Sequence, residues 1–252
     1  MNAVFADFVA QGVNEVVLDL RVNGGGSVLT SAYLASMIYD GAGTDVFCKL
    51  VFNGKHSNED GSYNFDNTLN IYNASWEKIG EEPLNRLSSI NRLYVITSGN
   101  TASASEMVIN GLKPFIPVKL YGTTTYGKNV GSITLYDSPS TDYTKKTNAN
   151  PDHLNAMQPI VFQIYNKNDE SDYIHGFTPD VEIKEWYSWE NILEFGDENE
   201  ELLKAILDDI RGISSKMQPR KIEAQPLEVP NYDIPRPYQM VLGSDYFDRE
   251  KE

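Results

Sequence analysis

The sequence predicts an α/β fold, in which strands alternate with helices. Three observations carry this. Apolar runs of strand length, Val16 to Leu20, Leu93 to Thr97 and Val118 to Tyr121, each end at a turn of glycine or small polar residues. Helical patterns follow the first two, over Ser27 to Tyr39 and over Ser103 to Leu112. A late amphipathic pattern, Glu200 to Ile213, gathers Leu202, Leu203, Ile206, Leu207 and Ile210 on a stripe suited to packing on a sheet.

Taken in order, Met1 to Gly12 reads as a short amphipathic helix with Val4, Phe5, Phe8 and Val9 on one face and Gly12 as its stop. Val16 to Leu20, interrupted only by Asp19, reads as a strand buried on both faces. Asn23-Gly24-Gly25-Gly26 then releases the backbone; three glycines cost conformational entropy, and what they permit is close approach of N–H groups to a ligand. The triplet fits neither a P-loop nor a dinucleotide fingerprint, and Asp19 and Arg21 are expected to hold the turn in place. A strand is expected over Asp45 to Phe52, a polar surface excursion over Gly54 to Asn73, and helix-like spacing of Leu84 and Leu87 within Trp76 to Ile90. Strand character returns over Asn129 to Tyr136 and Pro159 to Tyr165, flanking a polar loop from Asp137 to Asn155.

The chemistry centres on Leu93 to Lys128. Ser103 stands at the mouth of a predicted helix whose first-turn N–H groups and positive dipole end are the equipment for holding an oxyanion. A serine hydroxyl is a poor nucleophile near neutral pH and needs a base. Lysine serves only when neutral, and burial favours that form, so Lys128 on its glycine-flanked turn is a candidate base. The bland reading of Ser103 is a helix N-cap. Of the histidines, His56 has no apparent acidic partner, and His175 reads first as a turn residue.

TASASE followed by GTTTYGK, with Ser103 and Lys128 twenty-five positions apart, resembles the carboxyl-terminal processing (tail-specific) serine peptidases. VVLDLRVNGGG upstream and HGFTPDVEI downstream are similar to two further segments of that family, in family order, so the likeness spans roughly Ala3 to Gly212. The resemblance implies a ClpP/crotonase-like core of stacked β-β-α units and a Ser-Lys dyad. It makes Ser103 the nucleophile, Lys128 the general base and Glu106 an assisting glutamate, with oxyanion donors at Ala104 and at Gly25 or Gly26. Ser105 is the competitor, two positions off the family spacing. No cofactor or metal is implied. The family's regulatory peptide-binding domain and some core strands would precede Met1, so the chain looks like a fragment beginning inside the core.

With 36 acidic against 21 basic side chains the formal charge is −15, which argues against nucleic acid or an anionic membrane as main partner. No apolar stretch is long enough for a membrane span, and the first residues lack the pattern of a signal peptide; an envelope or periplasmic location is implied by the resemblance alone. The single Cys48 excludes an internal disulfide and sits in an apolar run, as a buried thiol would. The organisation expected is a catalytic core over residues 1–213 and a proline-rich extended tail over 214–252, lying along the body or exchanged with a neighbour. The expected partner is a peptide or protein bound as an added strand, with a homo-oligomer through the tail or the truncated edge as a further option. Rival readings are a non-catalytic peptide-binding module on the same fold and, more distantly, an acyl-CoA enzyme.

Overall fold

The computed structural model describes residues 1–41, 43–73, 77–185 and 193–213, and the backbone of 240–241. In chain order the elements are α1 (Asn2–Ala10), β1 (Val17–Asp19), β2 (Gly26–Ser27), α2 (Val28–Ile38), β3 (Val46–Phe52), β4 (Gly61–Asn64), β5 (Thr68–Tyr72), β6 (Lys78–Pro83), β7 (Leu93–Thr97), α3 (Ala104–Leu112), β8 (Val118–Gly122), β9 (Val130–Ser132), β10 (Leu135–Tyr136), β11 (Ala156–Met157), β12 (Ile160–Tyr165), β13 (Val181–Glu182), α4 (Glu201–Ile210) and β14 (Met240–Val241).

Two sheets organise the chain. One has four strands in the order β1-β7-β8-β13, all parallel; the other has six in the order β2-β14-β9-β12-β3-β4, antiparallel from β9 to β4. Side chains of β7 alternate as a two-residue period requires. Leu93 and Val95 enter the larger core with α2, α3 and the six-stranded sheet, while Tyr94 and Ile96 enter a smaller one with Tyr121, Leu202 and Ile206. So α4 covers one face of the parallel sheet, and α2 and α3 fill the space between the sheets. Both faces of β7 are thereby buried along its length.

Ser27 caps α2 by accepting from Thr30 N–H at 3.3 Å. Its neighbour Ser31 donates from Oγ to the Ala104 carbonyl at 3.2 Å, which fixes the glycine turn's helix against the start of α3. Cys48 is buried as expected, and burial pushes its thiol up to about 12.

Several expectations need correction. Val4 and Val9 of α1 are exposed and only Phe5 is buried, because a nine-residue helix docks here by its aromatic edge. β1 is half-buried, since β7 is its sole neighbour in the sheet among the described residues. The excursion from Gly54 is structured: it forms a 3-10 turn, β4 and β5, with Tyr63 and Phe65 in the core. The helical spacing of Leu84 and Leu87 is not a helix; β6 precedes them in a hairpin with β5, and both side chains reach the core from an irregular segment. Trp76 and the tail, apart from Met240–Val241, lie outside the described residues.

Candidate active site

The site forms where β1, β7 and β8 deliver their carboxyl-terminal turns. After β7, Thr101 donates from Oγ1 to the Leu20 carbonyl at 2.7 Å, tying the turn before α3 to the turn after β1. Ala102 N–H donates to the Asn23 carbonyl at 3.2 Å. Ser103 follows at the helix start with φ 62° and ψ −119°, a conformation that L-residues rarely adopt.

The glycine turn lies directly against this point. A Cβ on Gly25, at φ 101°, would stand 2.7 Å from Ala104 N and 2.8 Å from Ser103 Cβ, so the residue must be glycine for the turns to meet. Asn23 shapes the turn from within: its Oδ1 accepts from Gly25 N–H at 3.0 Å and from Ser105 Oγ at 2.7 Å. Ser105 Oγ also donates to the Asn23 carbonyl at 3.0 Å. Its hydroxyl therefore has a structural task, whereas Ser103 Oγ, on a residue fully buried, has no hydrogen-bond partner among the described residues.

Glu106 joins the two halves of the site. Its carboxylate, at 0% exposure, accepts four bonds. Oε2 takes Ser103 N–H at 2.9 Å and Lys128 N–H at 2.8 Å. Oε1 takes Gly127 N–H at 2.7 Å and Thr125 Oγ1–H at 2.6 Å. Since one oxygen serves both, the backbone nitrogens of Ser103 and Lys128 are no more than about 6 Å apart. The Lys128 side chain is half-buried, and burial lowers its ammonium pKa below that of an ordinary lysine.

The third motif braces the lysine turn. Phe177 N–H donates to Thr125 Oγ1 at 2.7 Å, and Thr125 N–H donates to the Phe177 carbonyl at 3.1 Å. Gly127, at φ 92°, packs so closely on the Ile174 carbonyl that a Cβ would lie 2.4 Å away. Asp180 fastens the segment to β8 by accepting from Leu120 N–H at 2.7 Å. Tyr173 stacks on Phe177 with ring centroids 4.7 Å apart. Its hydroxyl is the other buried side-chain atom without a partner among the described residues; burial, and then the nearby Glu106 charge, push its pKa strongly up.

The structure thus brings Ser103, Ala104, Glu106, Lys128, Gly25 and Gly26 into one region. His56 lies on the 3-10 turn after β3, and His175 is exposed. Sequence reasoning did not single out Thr125, Asn23 or Tyr173. Thr125 stands among three adjacent threonines, and nothing in their spacing distinguishes the one that bridges Glu106 to Phe177. Arg21 does hold its turn: its guanidinium bonds Asp19 at 3.0 Å, Glu200 at 3.0 Å, and Glu185. Beside it lies a cavity of about 270 Å³, lined by Arg21, Thr97, Ser98, Thr123 and Glu185 among others but not by Ser103. Among the described residues no helix is long and apolar enough to cross a membrane, and no group of three or more His, Cys, Asp or Glu side chains is placed to hold a metal ion.

The carboxyl-terminal turns of a parallel sheet in an α/β fold thus converge on a strained serine, a buried carboxylate and a half-buried lysine. The profile of Peptidase family S41 matches residues 1–183, and the chain belongs to that family. Among solved structures it is similar to a Bacteroides fragilis protein described as an S41 protease, with 30% identity and a TM-score of 0.68 over 85% of this chain and 49% of that one. It also matches the photosystem II D1 C-terminal processing protease, with 20% identity and a TM-score of 0.46 over 73% of this chain and 38% of that one. The chain spans about half the length of the first of these or less of the second. Comparison with curated proteins gave no match.

Proposed function

We propose that this chain carries the catalytic centre of a serine endopeptidase that cleaves peptide bonds near protein C-termini through a Ser-Lys dyad, on a ClpP/crotonase-like core. Ser103 Oγ attacks the scissile carbonyl carbon while neutral Lys128 Nζ takes the hydroxyl proton. The tetrahedral oxyanion is held by Ala104 N–H, at the first turn of α3, and by the glycine turn. Because Gly25 N–H is engaged by Asn23 Oδ1, Gly26 is the better second donor. Collapse breaks the C–N bond, and Lys128 returns the proton to the leaving amine. Water, deprotonated in turn by Lys128, then hydrolyses the ester on Ser103.

One observation carries this reading: a single buried carboxylate, Glu106, accepts from the backbone of both Ser103 and Lys128. Glu106 positions rather than reacts. It fixes the two turns through their main-chain N–H groups. An extended substrate would pair with backbone at the glycine turn, a mode that reads main chain first. An envelope or periplasmic setting accords with this activity.

The test is an acylating probe directed at serine hydrolases, read by intact mass. Wild type and Ser105→Ala are expected to gain one adduct, Ser103→Ala and Lys128→Ala none. Labelling that persists in Ser103→Ala would transfer the role to another hydroxyl. No labelling and no peptide hydrolysis by the wild type, with peptide binding retained, would make the chain a non-catalytic peptide-binding module.

A further inference from the structure

We propose that the chain's own C-terminal segment occupies the position of the substrate strand, with Met240–Val241 acting as an intramolecular competitor. The proposal rests on the peptidase reading for its consequence, but the strand competition itself is a binding claim. Met240 pairs in parallel with Gly26 and Val241 with Ser27, and Val241 also pairs with Ser132 of β9. Within the six-stranded sheet, β14 is the element that connects β2 to β9. Without it, Gly26–Ser27 and Ser132 face each other as two open backbone edges, a slot one strand wide.

That slot adjoins the nucleophile. Met240 is in register with Gly26, and the preceding Gly25 has its α-carbon turned so that an added Cβ would touch Ser103 Cβ at 2.8 Å. A strand seated there takes the backbone groups of the very turn assigned to the oxyanion. The second observation is independent of the pairing: Ser103 is at 0% exposure and its Oγ is unpartnered among the described residues. In this state the hydroxyl is shut away, so a substrate carbonyl reaches it only after something is displaced. β14 pairs through two described residues, a short attachment open to exchange.

Reach does not forbid the contact. From Ile213 to Met240 the chain has 27 steps, enough to extend about 90 Å. Tethering on the same chain makes the contact intramolecular, with an effective concentration on the order of millimolar, so even a weak strand blocks a substantial fraction of sites until a better-fitting peptide competes.

The experiment uses the full chain and its variants Val241→Pro and Met240→Pro, each of which removes one N–H from the strand and is incompatible with a central position. Three quantities are read: backbone hydrogen exchange at Gly26–Ser27 and Val130–Ser132, binding of a fluorescent peptide with the sequence of residues 236–245, and the rate of labelling by the acylating probe. In at least one variant, exchange in the slot is expected to rise about tenfold and the peptide to bind about tenfold more tightly than to wild type, with labelling several-fold faster. Exchange and peptide binding unchanged in both variants would overturn the proposal, even with labelling intact. An opened slot that binds the peptide on a chain that never labels would uphold the competition and remove the peptidase reading instead. Slot protection in the wild type that depends on protein concentration would assign the strand to a neighbouring copy and overturn the intramolecular form.

Discussion

Ser103 combines two costs that a purely structural residue would shed. Its φ of 62° is worth roughly 1–3 kcal/mol of backbone strain, and its buried hydroxyl lacks a partner among the described residues. Ser103→Ala keeps the strain but removes the unpaired group, so it is expected to be more stable than wild type by about 1 kcal/mol in urea unfolding while losing probe labelling. Glu106→Gln has the opposite sign. Four donors converge on the two carboxylate oxygens, and an amide would turn an NH₂ toward two of them. A loss of about 3 kcal/mol, with labelling slowed at least a hundredfold, is expected; unchanged stability would mean that the two turns hold together by other contacts. For Lys128, burial lowers the pKa, so the neutral base is populated below the range of an ordinary lysine. The labelling rate is then expected to rise with pH along one ionisation whose midpoint lies below 10.5, and to respond to no such group in Lys128→Ala. The sign for stability is the same. The unfolded chain binds this proton more tightly, so Lys128 destabilises the fold below its folded pKa, and the penalty fades as pH rises from there to the unfolded value.

At the scale of elements, the glycine turn gives a paired test. An alanine at Gly25 meets the Ala104 nitrogen and Ser103 Cβ at under 3 Å, whereas one at Gly26 meets nothing within 4 Å and bears only the cost of its φ of 144°. Gly25→Ala is expected to cost about 3 kcal/mol or more and to abolish labelling; Gly26→Ala is expected to cost about 1–2 kcal/mol. Equal effects in thermal unfolding would contradict the close approach. The same scale shows what the sequence discloses. α2, α3, α4, β7 and β8 are legible because each buries a regular pattern: α3 is bounded by Ser103 and by Lys113-Pro114, and β7 is apolar throughout. The β5–β6 hairpin is not. β6 alternates exposed and half-buried residues with Glu81, Glu82 and Gly80 among them, so the core-seeking Leu84 and Leu87 beyond it supply the stronger and misleading period. Tyr63 and Phe65 were hidden likewise by the polar residues around them, which face solvent while the two rings pack inward.

Across the whole molecule, α4 is locked to the parallel sheet by charge as well as by Leu202 and Ile206. Lys119 bonds Asp209 at 2.9 Å, and Tyr94 donates to the same carboxylate at 2.9 Å. The Lys119 bond, against burial, holds the Asp209 carboxyl below its usual range. Burial alone would raise Glu200, but Arg21 and the Leu203 N–H outweigh it and leave that carboxyl lowered too. Both folded pKa values lie below the unfolded ones, so their stabilisation is in place above the ordinary values of 3.8 and 4.5 and is lost as pH falls through the folded values. Urea midpoints measured from pH 6 down to pH 2 are expected to fall, and to fall less in the double variant Glu200→Gln/Asp209→Asn; identical acid limbs would place the acid-sensitive contact elsewhere. The site divides in the same way as the fold. Ser103 and Lys128 were legible as candidates because a serine at a helix mouth and a lysine directly after a glycine are short local patterns. The bonds of Glu106, Thr125 and Asn23 were not, because a side chain bonding to distant main chain leaves no periodicity.

Cys48 is the chain's only thiol, and it is sealed in the core and kept protonated. A thiol-reactive dye therefore meets almost no background on the folded protein. One cysteine introduced at Val241 would report through its modification rate whether that position is shielded or free, on a molecule otherwise silent to the reagent.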